Sequence, residues 1–151
     1  MLSKKQIVCP ENLLKIAKTK GPVKVVIANA GKPIAIESAK QAVDENLIEP
    51  IFVGNKLIIE QLAKDIKWDL SKYEIINEPI ENNTALIAAK LASEEKVKII
   101  VKGHIHTDIL MKAVLKRDLN LIGKKRLSHV WHMTLRENDK PFIITDGALN
   151  V

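Results

Sequence analysis

A short polar segment late in the chain brings together side chains that could bind an anion. Gly103-His-Ile-His-Thr-Asp108 follows an apolar run and precedes a helical pattern that carries Lys112. Thr107 or Asp108 could cap that helix by accepting its free N–H groups. A helix N-terminus carries a partial positive charge, and Lys102 and Lys112 add cations close in sequence. The segment therefore predicts an oxyanion or phosphate site.

Two residues of this segment could have further roles at such a site. Gly103 ends a predicted buried strand and would let the backbone approach a ligand closely. His106 could donate a hydrogen bond or transfer a proton. The same residues are also compatible with an ordinary strand–turn–helix connection that has a capping threonine and a surface histidine, and the spacing alone leaves both interpretations open.

A metal site is a weaker alternative for the histidines. His104 and His106 would point the same way on a strand, whereas His129 and His132 would point to opposite faces. Cys9 is distant in sequence, and we find no carboxylate at the spacing of a zinc site. The pattern therefore favours an anion over a metal ion.

Two common catalytic arrangements are also poorly supported. The chain contains neither GxxxxGK[ST] nor GxGxxG, so a P-loop or a dinucleotide-binding fingerprint is not indicated. A Ser-His-Asp hydrolase would have to use Ser128 and Asp146. Ser128 lies inside a strand pattern and not on a strand–turn–helix elbow, which argues against this reading.

Helical and strand patterns alternate along most of the chain and would position the polar segment. The predicted helices span residues 11–20, 33–45, 56–66, 83–95 and 107–117, and the predicted strands span residues 23–30, 49–55, 73–79 and 98–103. Such alternation with short turns is typical of a parallel sheet covered by helices on both faces. Ligands of these folds bind at the carboxyl ends of the strands, which directs attention to the loops after Ala28, Val53, Asn77 and Lys102.

The pattern changes after Asp118. Two further strands, 126–135 and 141–146, flank a polar turn at residues 136–140 and predict an antiparallel hairpin. We expect the fold class to be α/β, with a hairpin that starts a second, missing domain. The expected division is an α/β domain over residues 1–122 and an incomplete second domain over residues 123–151.

Composition and charge limit the class of protein. With 46% hydrophobic and 28% charged residues, the chain resembles an ordinary globular protein. No apolar run approaches a membrane span, no secretory signal is evident, and the single cysteine is compatible with the cytoplasm. Between Lys102 and Arg126, seven positive and two negative residues place +5 of the net charge of +6. This patch indicates an anionic partner, and the lack of interleaved aromatic residues favours a small anion over nucleic acid.

Several stretches resemble the phosphate acetyltransferase and phosphate butyryltransferase family. The segment Val101–Val114 is similar to its MKG-x-x-x-T segment, Arg126–Val130 to its R-x-SHV strand, and Phe142–Asn150 to its ITDAA-x-N strand and turn. Earlier, Pro50–Gly54 is similar to its PILVG strand, and the preceding helix at Glu37–Ala42 also fits. The resemblance covers nearly the whole chain and is strongest to the bifunctional enoyl-CoA hydratase/phosphate acetyltransferase type.

The resemblance implies transfer of an acyl group between coenzyme A and inorganic phosphate. Both substrates are anionic, which suits the basic patch, and neither a metal nor a prosthetic group is implied. Catalysis would depend on positioning the thiol of coenzyme A and on stabilising the charge of the acyl phosphate. A carboxylate base would help to deprotonate that thiol. The candidate substrate-binding residues are Lys102, Gly103, His106, Thr107, Lys112, Ser128, Asp146 and Asn150.

The chain also departs from the family. Members are about twice as long, and their Ser-Arg pair and catalytic aspartate come from the later half, which has no equivalent here. Gly147 stands where members usually have alanine, and His104 stands where they usually have a small or apolar residue. We therefore expect an acyltransferase that is inactive alone and that associates with itself or with a second chain carrying the missing half. The alternative is a non-catalytic binding module for coenzyme A or another phosphorylated molecule.

Overall fold

The computed structural model describes residues 9–123, 127–133 and 142–150, with the backbone alone for residues 148–150. The helices are α1 (Glu11–Lys18), α2 (Pro33–Asp44), α3 (Lys56–Asp65), α4 (Glu81–Ser93) and α5 (Thr107–Val114). The strands are β1 (Val23–Ala28), β2 (Ile48–Gly54), β3 (Ile75–Asn77), β4 (Ile99–Lys102), β5 (Ser128–Met133) and β6 (Phe142–Asn150). Residues Ile16–Leu121 form one compact unit and the hairpin of β5 and β6 lies in another. The division at 122/123 stays a prediction.

The first unit is built on a four-stranded parallel sheet. Its strand order is β3-β2-β1-β4, with Val23 opposite Ile48 on one side of β1 and Val25 opposite Ile99 on the other. The chain therefore builds the sheet outward from β1 through β2 to β3, and then returns to the opposite side of β1. Strand order reverses between β1 and β4, which is where doubly wound folds form their ligand crevice.

Helices cover both faces of this sheet, as the sequence predicts. Val26 and Ala28 of β1 pack on one face with apolar residues of α4 and α5, and Val25 and Ile27 pack on the other face with residues of α2 and α3. Because β1 is covered from both sides, all four of these residues are buried, which explains the apolar run Val25–Ala28. The α/β fold class is confirmed.

The last strand of the sheet differs from the prediction. The apolar run at residues 98–103 predicts a buried strand, but β4 stands at the end of the strand order and Ile99 and Val101 are 47% and 37% exposed. Ile100 alone packs against the core shared with α4 and α5. The apolar sequence of β4 thus reflects one covered face and one open face, which alternation in so short a run could not reveal.

Three helices end in the same way. Residues in the left-handed region follow α2, α3 and α4, namely Asn46, Lys67 and Glu95 with φ of 57°, 54° and 56°. In each case the next amide donates back into the last turn, for example Trp68 N–H to the Ala63 carbonyl at 2.9 Å. This geometry normally selects glycine, because a side chain there is strained.

Replacing Lys67 by glycine is expected to stabilise the protein by about 0.5–1 kcal/mol, since glycine removes the left-handed strain at that helix end. Asn46→Gly is the matched control, because asparagine already tolerates this conformation and its replacement gains less. Urea denaturation of both variants measures the difference. An equal gain for the two variants would contradict the assignment of strain to Lys67.

The hairpin is antiparallel and irregular. Met133 pairs with Phe142 and Val130 with Thr145, but Ser128 pairs with Asn150, so β6 carries extra residues in between. The second predicted strand therefore extends beyond its expected end at residue 146. The predicted polar turn at residues 136–140, and Leu135, lie outside the described residues.

The hairpin exposes apolar side chains on the part of the chain that the structure describes. Exposed fractions range from 36% to 64% for Val130, Trp131, Met133, Phe142, Ile143 and Ile144. Trp131 is half-exposed and contacts the edge of the His129 ring, with a centroid distance of 5.0 Å. Trp68, by contrast, packs on Phe52 and Tyr73 in the first unit. Among the described residues, no helix is both long and apolar enough to cross a bilayer.

Candidate functional site

The polar segment of the sequence lies at the crevice position of the fold. Asn29 directly follows β1 and Gly103 directly follows β4, so the two connections leave the sheet side by side where the strand order reverses. Gly103 N–H donates to the Ala28 carbonyl at 2.9 Å, and His104 N–H donates to the Asn29 carbonyl at 2.8 Å. The side-chain amide of Asn29 donates a hydrogen bond to the His104 carbonyl. These bonds hold the two connections together at the carboxyl ends of the strands, where they form the base of the crevice. We refer to this pair of bonded connections as the floor.

The close approach of the two connections in the floor requires a glycine at position 103. A Cβ atom at this position would lie 2.5 Å from the Asn29 carbonyl oxygen and 2.6 Å from that of Ala28. Both are backbone atoms that cannot move aside without breaking the bonds between the connections. The structure therefore shows a close approach of backbone to backbone, and the predicted approach of a ligand to Gly103 stays a prediction.

Helix α5 begins at the predicted residue but is capped differently. His106 is the N-cap, in extended conformation, and neither Thr107 nor Asp108 caps the helix, so that prediction is wrong. Glu81, the first residue of α4, instead accepts hydrogen bonds from the backbone N–H of His106 and from its ring Nδ1, the latter at 2.8 Å. Glu81 thus accepts the backbone N–H of the N-cap residue itself, the bond that the glutamate of a capping box makes, and it leaves the amides of the first turn of α5 without a side-chain cap.

Glu81 is ionised in this arrangement. Hydrogen bonds from the backbone N–H of His106, and then from its ring, hold the pKa of the Glu81 carboxyl below its usual value. The Glu81 side chain is 28% exposed, whereas that of His106 is 78% exposed. The imidazole therefore projects into solvent while its inner nitrogen stays bound to the carboxylate.

The cations of the site are exposed. Lys102 ends β4 opposite Ala28, and Lys112 lies on α5 with its Nζ 3.2 Å from the Asp108 carboxylate. The bond from Lys112 keeps the pKa of Asp108 low. Because both partners are largely exposed, such a pair contributes little to stability and can open for a ligand. As in any α-helix, the amides of the first turn of α5 have no acceptor within the helix.

Two depressions mark the surface of the first unit. A groove of about 370 Å³ between α4 and α5 is lined by Asn82, Asn83, Leu86, Ile109, Lys112, Ala113 and Lys116. A larger cleft of about 760 Å³ lies beside α3 and the segment after it, and it contains none of the predicted site residues. The smaller groove is the one relevant to the predicted anion site, because Lys112 lines it.

The predicted site residues fall into two groups. Lys102, Gly103, His106, Thr107 and Lys112 lie together at the end of β4 and on α5, within the first unit.

The other predicted site residues lie on the hairpin. Ser128 is exposed and pairs with Asn150, and Asp146 is exposed within β6, where its φ is 58°. Each group is a separate part of the predicted site.

The metal alternative gains no support from the residues at 9–123, 127–133 and 142–150. These contain no cluster of three or more His, Cys, Asp or Glu side chains that could hold a metal ion. His104 and His106 do not occupy a strand, so the shared orientation considered for them does not arise.

The sequence missed two residues of this site, Glu81 and Asn29. Glu81 precedes the predicted start of its helix by two residues, and an acidic residue in a first turn was the available signal. Asn29 lies inside the predicted strand 23–30, whereas the observed strand ends at Ala28. Asparagine tolerates the left-handed conformation that Asn29 adopts with φ of 57°.

Proteins of known sequence or structure are similar to this chain over most of its length. Phosphate acetyltransferase of Rickettsia typhi is 36% identical over 140 residues, which cover 93% of this chain and 40% of that protein. Phosphate butyryltransferase of Clostridium beijerinckii is 32% identical over 140 residues, which cover 93% of this chain and 46% of that protein. A branched-chain phosphotransacylase from Enterococcus faecalis superposes with a TM-score of 0.68 at 28% identity, over 85% of this chain and 44% of that one. No protein-family model matches the chain. The chain spans less than half the length of these relatives.

Proposed function

Because the chain is a homologue of phosphate acetyltransferases and phosphate butyryltransferases over 93% of its length, we propose that it provides the α/β part of an acyl-CoA:phosphate acyltransferase. In this reaction acetyl-CoA or butyryl-CoA and phosphate give an acyl phosphate and coenzyme A. The observation that carries the proposal is the extent of the similarity, which covers 93% of this chain. A cytoplasmic location is part of the proposal.

The geometry at the crevice supports an anionic substrate. Lys102 and Lys112 supply exposed cations, the Thr107 hydroxyl stands at the first position of α5, and His106 projects its ring into solvent. Together they offer cations and hydrogen-bond donors at a helix N-terminus, a combination suited to phosphate. Gly103 maintains the floor beneath them. On the hairpin, Ser128, Asp146 and Asn150 are proposed to contact the acyl-CoA.

The proposed chemistry needs neither a metal nor a prosthetic group, since the coenzyme A thioester is itself a substrate. A phosphate oxygen attacks the thioester carbonyl carbon, the carbon–sulfur bond breaks, and the proton lost by phosphate ends on the thiol of coenzyme A. The contribution of the protein would be positioning of the reactants and stabilisation of the developing charge.

We propose that turnover requires a further polypeptide segment. The Ser-Arg pair and the aspartate implied by the resemblance have no equivalent in this sequence. The exposed apolar side chains of the hairpin offer a surface for association with a second copy or with a chain that carries the remaining part of such an enzyme.

Free thiol released from acetyl-CoA or butyryl-CoA in the presence of phosphate tests this proposal. The chain by itself is expected to bind coenzyme A and to show little or no turnover. Addition of a polypeptide that carries the remaining part of a phosphate acetyltransferase is expected to produce acyl phosphate. The two acyl-CoA substrates are compared in parallel because relatives of both kinds match the chain.

The outcomes separate the candidate functions. Strong turnover by the chain alone would disprove the need for a further segment. Binding of coenzyme A that never leads to turnover, with or without the added polypeptide, would indicate a binding module. Absence of both binding and turnover would refute the proposal.

A further inference from the structure

The contact between Glu81 and His106 determines which ring nitrogen of the histidine is free to react. Nδ1 of His106 lies 2.8 Å from a Glu81 carboxylate oxygen, and the same oxygen accepts the backbone N–H of His106. An ionised carboxylate only accepts hydrogen bonds, so Nδ1 must carry a proton whether the ring is neutral or charged. All proton exchange of the ring is thereby confined to Nε2.

We propose that Glu81 is a positioning residue that holds His106 in the Nδ1–H tautomer, so that Nε2 faces the crevice and, once protonated, donates a hydrogen bond to a phosphoryl oxygen. Glu81 and His106 are 25 residues apart in sequence. Glu81 is the first residue of α4 and His106 is the N-cap of α5, so their bond joins the starts of the two helices. A carboxylate behind an imidazole fixes both its tautomer and its direction.

The surroundings indicate why the ligand would be a phosphoryl group. The His106 side chain is 78% exposed and stands beside the point where the strand order reverses. Lys102 and Lys112 are the nearby cations of the predicted site, and Asp108 in the first turn of α5 is already paired with Lys112. Glu81 is bonded to His106, so a protonated His106 ring offsets the charge of that carboxylate.

This inference rests on the proposed function, which supplies two sources of a phosphoryl group: inorganic phosphate and the phosphates of coenzyme A. Nitrogen-15 NMR of the full chain, at a pH where the imidazole is neutral, distinguishes the tautomers directly. We expect His106 to show a protonated Nδ1 and an unprotonated Nε2. In Glu81→Ala we expect the Nε2–H tautomer, which free imidazole side chains prefer, to increase.

Ligand titrations complete the test. The titrations are done at a pH where the imidazole is protonated, because only then can Nε2 donate a hydrogen bond. Inorganic phosphate and coenzyme A are added separately, and the ligand that shifts the Nε2 resonance identifies the source. Glu81→Ala is expected to weaken binding of that ligand by about tenfold, the loss that accompanies a misdirected charge-assisted hydrogen bond. Glu78→Ala is the matched control: it removes a carboxylate that bonds Ile80 N–H and Asn83 at the same end of the sheet without touching His106.

Each result decides between the two proposals. An Nε2–H tautomer in the unaltered chain would overturn the role of Glu81, even if Glu81→Ala failed to fold. Equal affinities of Glu81→Ala and Glu78→Ala for a ligand that the unaltered chain binds would overturn it as well, while leaving the proposed function intact. If the unaltered chain binds neither ligand, the proposed function and the phosphoryl ligand are both refuted.

Discussion

Gly103→Ala is expected to lower the free energy of unfolding by roughly 3 kcal/mol, a large value for the addition of one methyl group. The added Cβ would lie 2.5 Å from the Asn29 carbonyl oxygen and 2.6 Å from that of Ala28. Relief would require the end of β4 to move away from β1, which breaks the bonds from the Gly103 and His104 amides. Urea denaturation with matched slopes measures the loss.

Gly31→Ala is the control for this substitution. A Cβ on Gly31 would meet only side-chain atoms, at 3.6 Å from Asn29 Oδ1 and 3.9 Å from Ile58 Cγ2, which is ordinary van der Waals contact. Its stability is expected to stay within about 1 kcal/mol of the unaltered protein. A loss at Gly103 no larger than that at Gly31 would show that the floor can yield, and would contradict a rigid connection between β1 and β4.

Phe52→Ala is expected to cost about 4 kcal/mol, since it leaves a cavity in the core between the sheet and helices α2 and α3. Phe52 is fully buried and meets the edges of Trp68 and Tyr73, with centroid distances of 5.8 and 6.4 Å. The near-ultraviolet circular dichroism of the aromatic cluster should weaken along with stability. Thermal and urea denaturation measure the loss.

Phe142→Ala provides the comparison for the same chemical change on an exposed residue. Phe142 is 40% exposed on the hairpin, so its removal is expected to cost less than about 1 kcal/mol. Similar losses at Phe52 and Phe142 would mean that the aromatic cluster does not anchor the core.

The fold was largely predictable because its central strand is covered on both faces. The apolar run Val25–Ala28 of β1, with Val25 and Val26 buried in opposite cores, is typical of a parallel sheet. The breaks at Gly21-Pro22 and Pro33 separate the elements. The exposure of Ile99 and Val101 was not predictable, because it depends on the position of β4 at the end of the strand order. Local sequence does not encode that position.

The candidate site was predictable in place but not in detail. The segment from Gly103 to Asp108 indicated a ligand-binding connection, and it does lie at the crevice of the sheet. The interactions that shape it join residues far apart in sequence: Asn29 bonds His104 across 75 residues and Glu81 bonds His106 across 25. The Glu81 carboxylate that bonds His106 comes from another helix, and only folding brings it near.

The bonds between the β1 and β4 connections have a consequence for how this site could diversify. Two of the three bonds, from the Gly103 and His104 amides, involve only main-chain atoms. Substitutions at proposed ligand-binding positions such as His106 or Thr107 would therefore leave these main-chain bonds unchanged, provided that Gly103 is kept. A scaffold of this kind allows substrate preference to evolve by exchange of individual side chains, with the geometry of the strand ends inherited intact.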